Sequence, residues 1–370
     1  MKKINLTYIL CSIGGYHQYI WIADTIDKNR FNLSFIFLDH TTDTLKSILQ
    51  QKGFVCYQLQ IISKKDFFKG IFQVRKIFKK EKTTIVHTHL VNASLVGLAA
   101  AKLAGVKKRI HTRHHANFHH DHFKKGVYLD NVINYLSTNI IVISKNVENI
   151  VCTKEKFHDH KISLIYHGIQ LAEFEVANTN KIQLMKEKYK LNGFPIIGMV
   201  SRYEEGKGVQ YAIEAFKQII TEHKQAILVI ANAYGPEKAR ISKLLQQVPA
   251  DNYIEIEYEK DIKTLYKCFD IFVHVPTDKE YEAFGQVYIE AMAAAVPVVC
   301  TLSGIACEYV NSNNASVVDY KNADDIARAC NRFLKDDIYK QNIVLTAKND
   351  VAKIFGFEKM MSELNALYLS

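Results

Sequence analysis

Residues 282–299 read EAFGQVYIEAMAAAVPVV and follow an apolar run at 271–275. Gly285 stands where a loop should turn into a helix, so the neighbouring amides would point out of the helix N-terminus. Such an end attracts phosphate, because its N–H groups lack partners and its dipole is positive there. Glu282 before the helix and Glu290 within it could accept hydrogen bonds from hydroxyls on either side of a phosphate. The alternative is an ordinary amphipathic helix with two solvent-facing glutamates.

Short apolar runs alternate with helical periodicity along the whole chain, before and after this motif. Nearly continuous apolar runs are typical of parallel strands that are covered on both faces. Two successive β/α series predict two doubly wound α/β domains. The predicted strands are 4–10, 32–38, 55–61, 84–87, 109–112, 140–143 and 161–166, then 196–200, 227–231, 253–257, 271–275, 297–301 and 316–318.

The length of 370 residues agrees with two domains. A largely polar segment at 177–190 follows the last strand of the first series. We therefore predict an N-terminal domain at 1–175 and a C-terminal domain at 176–352. The amphipathic residues 353–370 should form a helix that packs back toward the N-terminal domain.

The composition excludes several classes of protein. The chain has 48% apolar and 23% charged residues, which are ordinary globular values. Its longest apolar run, 291–300, is about half of a membrane span. The first residues are interpreted as a strand and not as a signal peptide. Seven cysteines without a Cys-x-x-Cys pair favour reduced thiols in a cytoplasmic protein.

The net charge of +10 is concentrated in one stretch. Residues 64–125 hold 15 basic and three acidic residues. Within them, 66–82 has basic and apolar residues at helical spacing. This is either a solvated surface or a surface that faces an anionic membrane or a phosphorylated acceptor. The protein would then be either free in the cytoplasm or peripheral on the inner face of the cell membrane. Nucleic acid is not expected, because no binding motif is present.

Two further glycine-containing turns follow predicted strands. Arg202 and Lys207 lie in the first, SRYEEGKG at 201–208, and could together neutralise a diphosphate. The second turn holds the Gly14-Gly15 pair, which lacks the spacing of a dinucleotide fingerprint.

Six histidines fall within HTRHHANFHHDH, residues 111–122. A metal site is not predicted, because the stretch lacks cysteine and a zinc-protease spacing. Donors for a polar or phosphorylated substrate are the preferred interpretation. The chain also lacks an Asp-x-Asp triplet, a common anchor for a metal–diphosphate complex.

Together these residues resemble the retaining glycosyltransferase family 4, which has the two-domain GT-B fold. The family's Glu-x7-Glu motif matches 282–299, and its Arg-x4-Lys pair matches Arg202 and Lys207. Its glycine pair, its Val-His-x-His strand end and its His-Thr strand end match 14–15, 86–89 and 111–112. The resemblance implies two Rossmann-like domains that face each other across a cleft.

The family resemblance also implies roles for the matched residues. Arg202 and Lys207 would stabilise the departing diphosphate, Glu282 would hold the donor sugar and Glu290 the ribose. His111 would lie near the transferred sugar. The other donor-binding residues would be Gly14, Gly15, Phe284, Gly285, Gln286 and Val287. The other acceptor-side residues would be His87, Arg113 and His114.

The implied function is retaining transfer of a hexosyl or N-acetylhexosaminyl group from a nucleotide-diphosphate sugar to a hydroxyl, in cell-surface polysaccharide or glycolipid synthesis. The acceptor would be a polyprenyl-diphosphate-linked or other glycan, and no cofactor or metal is expected. Two alternatives stay open at this point. One is a nucleotide-sugar 2-epimerase on the same fold, and the other is a degenerate GT-B subunit that supports a partner.

Overall fold

The computed structural model describes residues 3–11, 17–39, 43–61, 64–157, 159–175 and 178–370. The chain forms two compact units, Met1–Gly168 with Glu358–Ser370, and Ile169–Phe357. The first unit thus ends earlier than the predicted 175, and the chain re-enters it at 358 where 353 was predicted. The reason for the earlier boundary is local, since Ile169 pairs with Gly356 of the second unit.

The first unit contains a seven-stranded parallel sheet in the order β3-β2-β1-β4-β5-β6-β7. Its strands are β1 Ile4–Leu10, β2 Phe31–Phe37, β3 Val55–Gln58, β4 Ile85–His89, β5 Lys108–Arg113, β6 Asn139–Val142 and β7 Ile162–Leu164. Its helices are α1 His17–Thr25, α2 Asp43–Gln51, α3 Lys64–Lys80, α4 Val91–Ala104, α5 Phe118–His122, α6 Lys124–Leu136 and α7 Lys145–Asn149, followed by a π-helical turn at Ile150–Lys154.

The second unit contains a six-stranded parallel sheet in the order β10-β9-β8-β11-β12-β13. Its strands are β8 Ile196–Val200, β9 Ile227–Ala231, β10 Tyr253–Ile256, β11 Ile271–His274, β12 Val298–Cys300 and β13 Ser316–Val317. Its helices are α8 Ala172–Glu175, α9 Thr179–Lys188, α10 Val209–Glu222, α11 Lys238–Leu245, α12 Ile262–Tyr266, α13 Gln286–Ala293, α14 Ala306–Tyr309, α15 Ala323–Lys335 and α16 Asp337–Phe355.

The predicted doubly wound α/β architecture is therefore confirmed for both units. Each predicted strand is present, with ends that differ by at most a few residues. The central strands are buried on both faces, which explains their nearly continuous apolar sequences. Packing in the second sheet is close: a Cβ on Gly198 would lie 2.1 Å from the Phe269 ring.

The last helix, α17 Phe357–Leu369, packs on the first unit. The Tyr368 hydroxyl lies 2.5 Å from the Tyr8 hydroxyl and 2.8 Å from His87 Nδ1. The chain thus supplies the first unit with a buried helix from its far end.

Helix α3 buries most of the apolar side chains that the sequence suggested for a membrane-facing stripe. Ile71, Val74 and Phe78 are buried in the core of the first unit. The helix periodicity therefore reflects packing of α3 inside its own unit. No helix within the described ranges is both long and apolar enough to span a membrane.

Candidate active site

The two strongest motifs meet at one edge of the second sheet. Strands β8 and β11 are adjacent and parallel, and the strand order reverses between them. The turn with Arg202 and Lys207 follows β8, and the loop with Glu282 follows β11. Ligands of open α/β sheets bind at such a topological switch point, outside the carboxyl ends of the strands.

Glu282 is the buried centre of this site, with 8% of its surface exposed. Its Oε1 lies 2.6 Å from Lys207 Nζ and accepts a hydrogen bond of 3.0 Å from His274 Nε2. Burial alone would raise the pKa of the Glu282 carboxyl, but the Lys207 ammonium and His274 hold it well below its usual range. Glu282 is therefore ionised, and Lys207 lies beside it.

The residue His274 was missed by the sequence analysis. It ends strand β11, is 1% exposed, and uses Nε2 to hold Glu282. Burial lowers the pKa of His274, so the ring is neutral. The only sequence signal was a single histidine at the end of an otherwise apolar strand. Its position makes it a positioning residue for Glu282.

Close backbone packing fixes the two loops around Glu282. Gly208 has φ +73°, and a Cβ there would lie 1.8 Å from the Val275 carbonyl oxygen. Gly304 has φ +56°, and a Cβ there would lie 2.7 Å from Glu282 Cβ. The backbone N–H of Glu282 donates to Ser303 Oγ at 3.1 Å. Side chains at either glycine would displace the loop, so these glycines set the geometry of the site.

Arg202 is the more exposed of the two basic residues. Its side chain is 52% exposed, and Nη2 lies 3.0 Å from Glu204 Oε1. The Tyr281 hydroxyl donates to Glu204 Oε2 at 2.9 Å. An exposed guanidinium held by one surface carboxylate can turn toward an anion with little loss of stability.

Gly285 precedes α13 with φ +87°, so the predicted loop-to-helix turn is present. No side chain caps this end of the helix. Phe284 is buried, whereas Gln286 and Val287 are partly exposed. The Tyr288 N–H donates to the Gly285 carbonyl, so the Gln286 and Val287 amides are the ones that an anion at this end would contact.

Glu290 lies partly exposed on α13, and the Tyr266 hydroxyl donates to its Oε2 at 2.9 Å. Burial raises the pKa of the Glu290 carboxyl to about 7, against opposing effects from Tyr266 and Lys263. The group therefore changes charge within the physiological pH range.

His111 lies in the first unit and is 1% exposed. Its Nδ1 is 2.8 Å from Ser94 Oγ, while its Nε2 has no hydrogen-bond partner within the described ranges. Burial, together with the charge of Arg113, lowers the pKa of His111 well below its usual range. The ring is therefore neutral, and its Nε2 is itself buried.

His114 belongs to a second group of rings in the first unit. Its Nε2 is 3.0 Å from His89 Nδ1, and its ring stacks on His167 at 5.3 Å. Burial and the neighbouring histidines lower its pKa well below the usual range. The predicted glycine pair, Gly14 and Gly15, lies outside the described residues.

Arg113 was expected on the acceptor side, but the structure places it in the interior of the first unit. It is fully buried, with Nη1 2.8 Å from Asp130 Oδ1 and Nη2 2.7 Å from Glu155 Oε1. Its Nε donates to the His115 carbonyl. The acceptor-side role of Arg113 stays a prediction; because all three nitrogens contact groups of the protein, we propose a structural role instead.

We propose a structural role for His87 as well. It is 1% exposed, and its two nitrogens contact Tyr368 and Thr112 at 2.8 and 2.7 Å. Burial lowers its pKa to about 3. With both nitrogens used inside the unit, His87 fastens helix α17 to strands β4 and β5.

Three side chains within the histidine-rich stretch and α6 could contact one metal ion. They are His115, His119 and Asp130, whose ligand atoms lie within 4.8 Å of one another. However, Arg113 is 2.8 Å from Asp130, and His119 Nδ1 is 2.7 Å from it. Although burial would raise the pKa of Asp130, His115, Arg113 and His119 together lower it to about 2. The carboxylate is thus already balanced by a guanidinium, a setting that opposes a second cation.

Two protein-family models match the chain, one in each unit. Residues 59–173 match the model described as Glycosyltransferase Family 4. Residues 181–350 match the model described as Glycosyl transferases group 1.

The chain is also similar to two curated glycosyltransferases. It is 28% identical to the capsular polysaccharide biosynthesis glycosyltransferase CapM of Staphylococcus aureus, over 81% of this chain and 80% of CapM. It is 28% identical to the UDP-Gal:alpha-D-GlcNAc-diphosphoundecaprenol alpha-1,3-galactosyltransferase of Escherichia coli, over 85% and 82% of the two chains.

Among solved structures, Anabaena Alr3699/HepE in complex with UDP and glucose superposes with a TM-score of 0.83 at 17% identity. The similarity covers 99% of both chains. This neighbour establishes the fold alone, which is the expected one.

Proposed function

We propose that the chain, a glycosyltransferase with the GT-B fold, moves a sugar from a nucleotide-diphosphate sugar to a hydroxyl with retention of anomeric configuration. The observation that carries this proposal is the grouping of Lys207, Glu282 and the α13 N-terminus at the switch point of the second sheet. The relatives support a role in cell-surface polysaccharide or glycolipid synthesis.

In the proposed reaction, the bond between the sugar and the diphosphate breaks as a bond to the acceptor oxygen forms, and the proton of the acceptor hydroxyl passes to an oxygen of the leaving diphosphate. Negative charge then grows on the leaving diphosphate. Lys207 and Arg202 stabilise that charge, and the uncapped amides of α13 bind the phosphate oxygens. Glu282 accepts hydrogen bonds from the sugar hydroxyls while His274 keeps it oriented. The contact of His111 with the transferred sugar stays a prediction, because its Nε2 is buried within the first unit.

The acceptor is proposed to be a sugar linked to a polyprenyl diphosphate, by analogy with the galactosyltransferase relative. UDP-sugars are the first donors to test, since that relative uses UDP-Gal and the structural neighbour holds UDP.

A thermal-shift screen of UDP-, GDP- and ADP-sugars identifies the donor, because a ligand stabilises only the folded state that binds it. Incubation with the identified donor and a lipid-linked acceptor should then release nucleotide diphosphate only when acceptor is present, with a retained anomer by NMR. An inverted product contradicts retention. Conversion of the donor without an acceptor favours the epimerase, and no turnover favours a degenerate subunit.

Glu290→Gln tests the ribose role of Glu290. Ribose hydroxyls donate to the ionised carboxylate, so donor affinity of the unmodified protein should weaken as pH falls below about 7. In Glu290→Gln, donor KM should rise about tenfold at pH 8 with little change in kcat, and the pH dependence should flatten. Donor KM measured from pH 6 to 9 checks this.

The control for Glu290→Gln is Glu257→Gln, which alters an exposed glutamate of the same unit. It should leave donor KM and its pH profile unchanged. A lower kcat in Glu290→Gln at unchanged KM would contradict a ribose contact.

Transfer should survive EDTA. Lys207 and Arg202 supply the positive charge that a metal supplies in other transferases, and the sequence has no Asp-x-Asp triplet. Activity is measured after dialysis against EDTA and after addition of Mg²⁺, Mn²⁺ or Zn²⁺. Complete loss that one of these ions reverses would contradict metal-independent transfer.

A further inference from the structure

Helix α6 turns an aromatic face outward. Its exposed residues recur at helical spacing and so lie on one side of the helix. Tyr128 is 74% exposed, Tyr135 67% and Val132 47%. Lys124 and Lys125 are exposed at the start of the same helix. The inward side buries Ile133 together with Asp130 and Asn134. A group of exposed aromatic rings on one side of a helix often marks a surface that binds a partner or a membrane.

Helix α3 repeats this combination. Phe68 is 68% exposed and Phe72 57%, although Ile71, Val74 and Phe78 of the same helix are buried. The rest of its exposed side is mainly basic, with Lys69, Lys76, Lys79 and Lys80. The side of α3 that faces solvent therefore carries aromatic rings and lysines next to one another.

Helix α4 connects these two helices. On one side, Arg75 Nε of α3 donates to the Leu103 carbonyl of α4 at 3.0 Å. On the other side, Lys102 Nζ of α4 lies 4.8 Å from the ring centre of Tyr135 of α6. Leu103 is itself 55% exposed. The three helices thus present one outer layer, which we name the α3–α4–α6 face.

The α3–α4–α6 face has no exposed carboxylate among its described residues. Seven of its exposed residues are lysines, six are large apolar or aromatic residues, and two are amides. They are Phe68, Lys69, Phe72, Gln73, Lys76, Lys79, Lys80, Asn92, Lys102, Leu103, Lys124, Lys125, Tyr128, Val132 and Tyr135. A merely solvated helical layer normally mixes both signs of charge.

We propose that the α3–α4–α6 face docks on an anionic lipid bilayer. Tyrosine and phenylalanine rings settle at the headgroup level, and lysines extend their ammonium groups to the phosphates. Among the described side chains of these helices no carboxylate is fully exposed and Asp66 is only partly so, which suits contact with an anionic surface. This docking surface deepens the proposed function. It rests on that function only for its purpose, because docking would bring the enzyme to a membrane-linked acceptor.

Vesicle flotation of the full chain tests the docking surface directly. The probes are vesicles of phosphatidylglycerol and phosphatidylcholine, and vesicles of phosphatidylcholine alone, at about 50 mM and about 500 mM salt. Binding should require phosphatidylglycerol and should fall steeply at the higher salt. Absence of binding to the anionic vesicles at low salt would overturn the proposal, and would leave a protein partner as the occupant of the face.

Two variants locate the bound surface. Changing Lys76, Lys79 and Lys125 to Glu should lower the vesicle partition coefficient by roughly 100-fold or more, at about one kcal/mol for each lysine. Phe68→Ser with Tyr128→Ser should lower it by roughly tenfold. Because all these side chains are exposed, the melting temperature should not change.

The matched charge control changes three exposed lysines of the second unit, Lys181, Lys224 and Lys243, to Glu. It has the same net charge as the first variant and should keep most of the vesicle binding. Equal loss in both triple variants would show a nonspecific charge effect and overturn the assignment of the surface.

The proposed function and the docking surface can fail separately. Lys207→Ala should lose transfer yet float with vesicles as the unmodified protein does. A protein that binds a nucleotide sugar in the thermal-shift assay but ignores anionic vesicles would refute only the docking surface. A protein that floats but neither binds nor turns over any nucleotide sugar would refute only the transfer reaction.

Discussion

Lys207→Ala should lower kcat by about 10²–10³-fold. The ammonium stabilises charge that develops on the leaving diphosphate, and loss of one such preorganised donor typically has an effect of this size. Because the stabilisation grows toward the transition state, donor KM should change much less than kcat. Steady-state kinetics with the donor found by the thermal-shift screen measures both constants.

The local structure predicts that this variant stays folded. Glu282 keeps its hydrogen bond from His274 and its backbone contact with Ser303 when Lys207 is removed. The pKa of Glu282 should rise, since the ammonium no longer favours its ionised form. A melting temperature within a few degrees of the unmodified protein is therefore expected.

Lys279→Ala is the matched control, because Lys279 is an exposed lysine of the loop that contains Glu282. Its kcat should stay within about twofold, as for surface changes outside a site. If Lys207→Ala kept near-normal kcat with unchanged stability, Lys207 would not stabilise the leaving group. Its pairing with Glu282 would then be only structural.

The sequence was sufficient for the architecture because the apolar runs themselves become the buried strands. It also located the candidate site, since the motifs at 201–208 and 282–290 follow β8 and β11. The topology of a parallel sheet brings such strand ends to one edge. A single motif does not reveal that β8 and β11 are neighbours, because this depends on the strand order of the whole sheet.

The sequence could not assign the histidines and arginines of the first unit, because their partners are distant in the chain. His87 contacts Tyr368, and Arg113 contacts Glu155. The spacing of the histidines within 111–122 resembled a single cluster, yet in the structure these histidines contact different partners. His111 contacts Ser94, while His119 contacts Asp130. Contacts of this kind depend on tertiary packing and leave no local signal.

Helical periodicity alone could not separate the core side of α3 from its exposed side, for a related reason. In α3 it correctly identified a continuous apolar side, but that side packs in the core. The two phenylalanines that remain exposed, Phe68 and Phe72, fall beside this set. The available signal was that α3 has more apolar residues than one buried side of a helix can hold, so some of them had to be exposed.

Arg113→Met should destabilise the first unit by about 3–5 kcal/mol. Arg113 is fully buried and compensates two buried carboxylates, Asp130 and Glu155. Removing one member of a buried ion network leaves uncompensated charge, which is the costly case. Urea or thermal unfolding, followed by circular dichroism, should show an earlier transition. Arg30→Met, at an exposed arginine of the same unit, should change stability by less than about 0.5 kcal/mol.

The pH dependence separates this role from acceptor binding. In the unmodified protein the pKa of Asp130 is lowered, to about 2, so its stabilising contribution is present above the unfolded pKa of about 4 and is lost only as pH falls through the folded value. Without the guanidinium, the pKa of the Asp130 carboxyl should rise, because burial disfavours its charged form. The deficit of Arg113→Met should therefore shrink as pH falls and Asp130 takes up a proton.

Combining Arg113→Met with Asp130→Asn and Glu155→Gln removes all three charges together. This triple variant should recover much of the lost stability, because no buried ion is left without a partner. An acceptor-binding arginine predicts the opposite set of results: a single variant as stable as Arg30→Met, a raised acceptor KM, and no recovery from the added substitutions. Unfolding curves of the three variants at two pH values therefore distinguish a buried structural ion network from a binding residue.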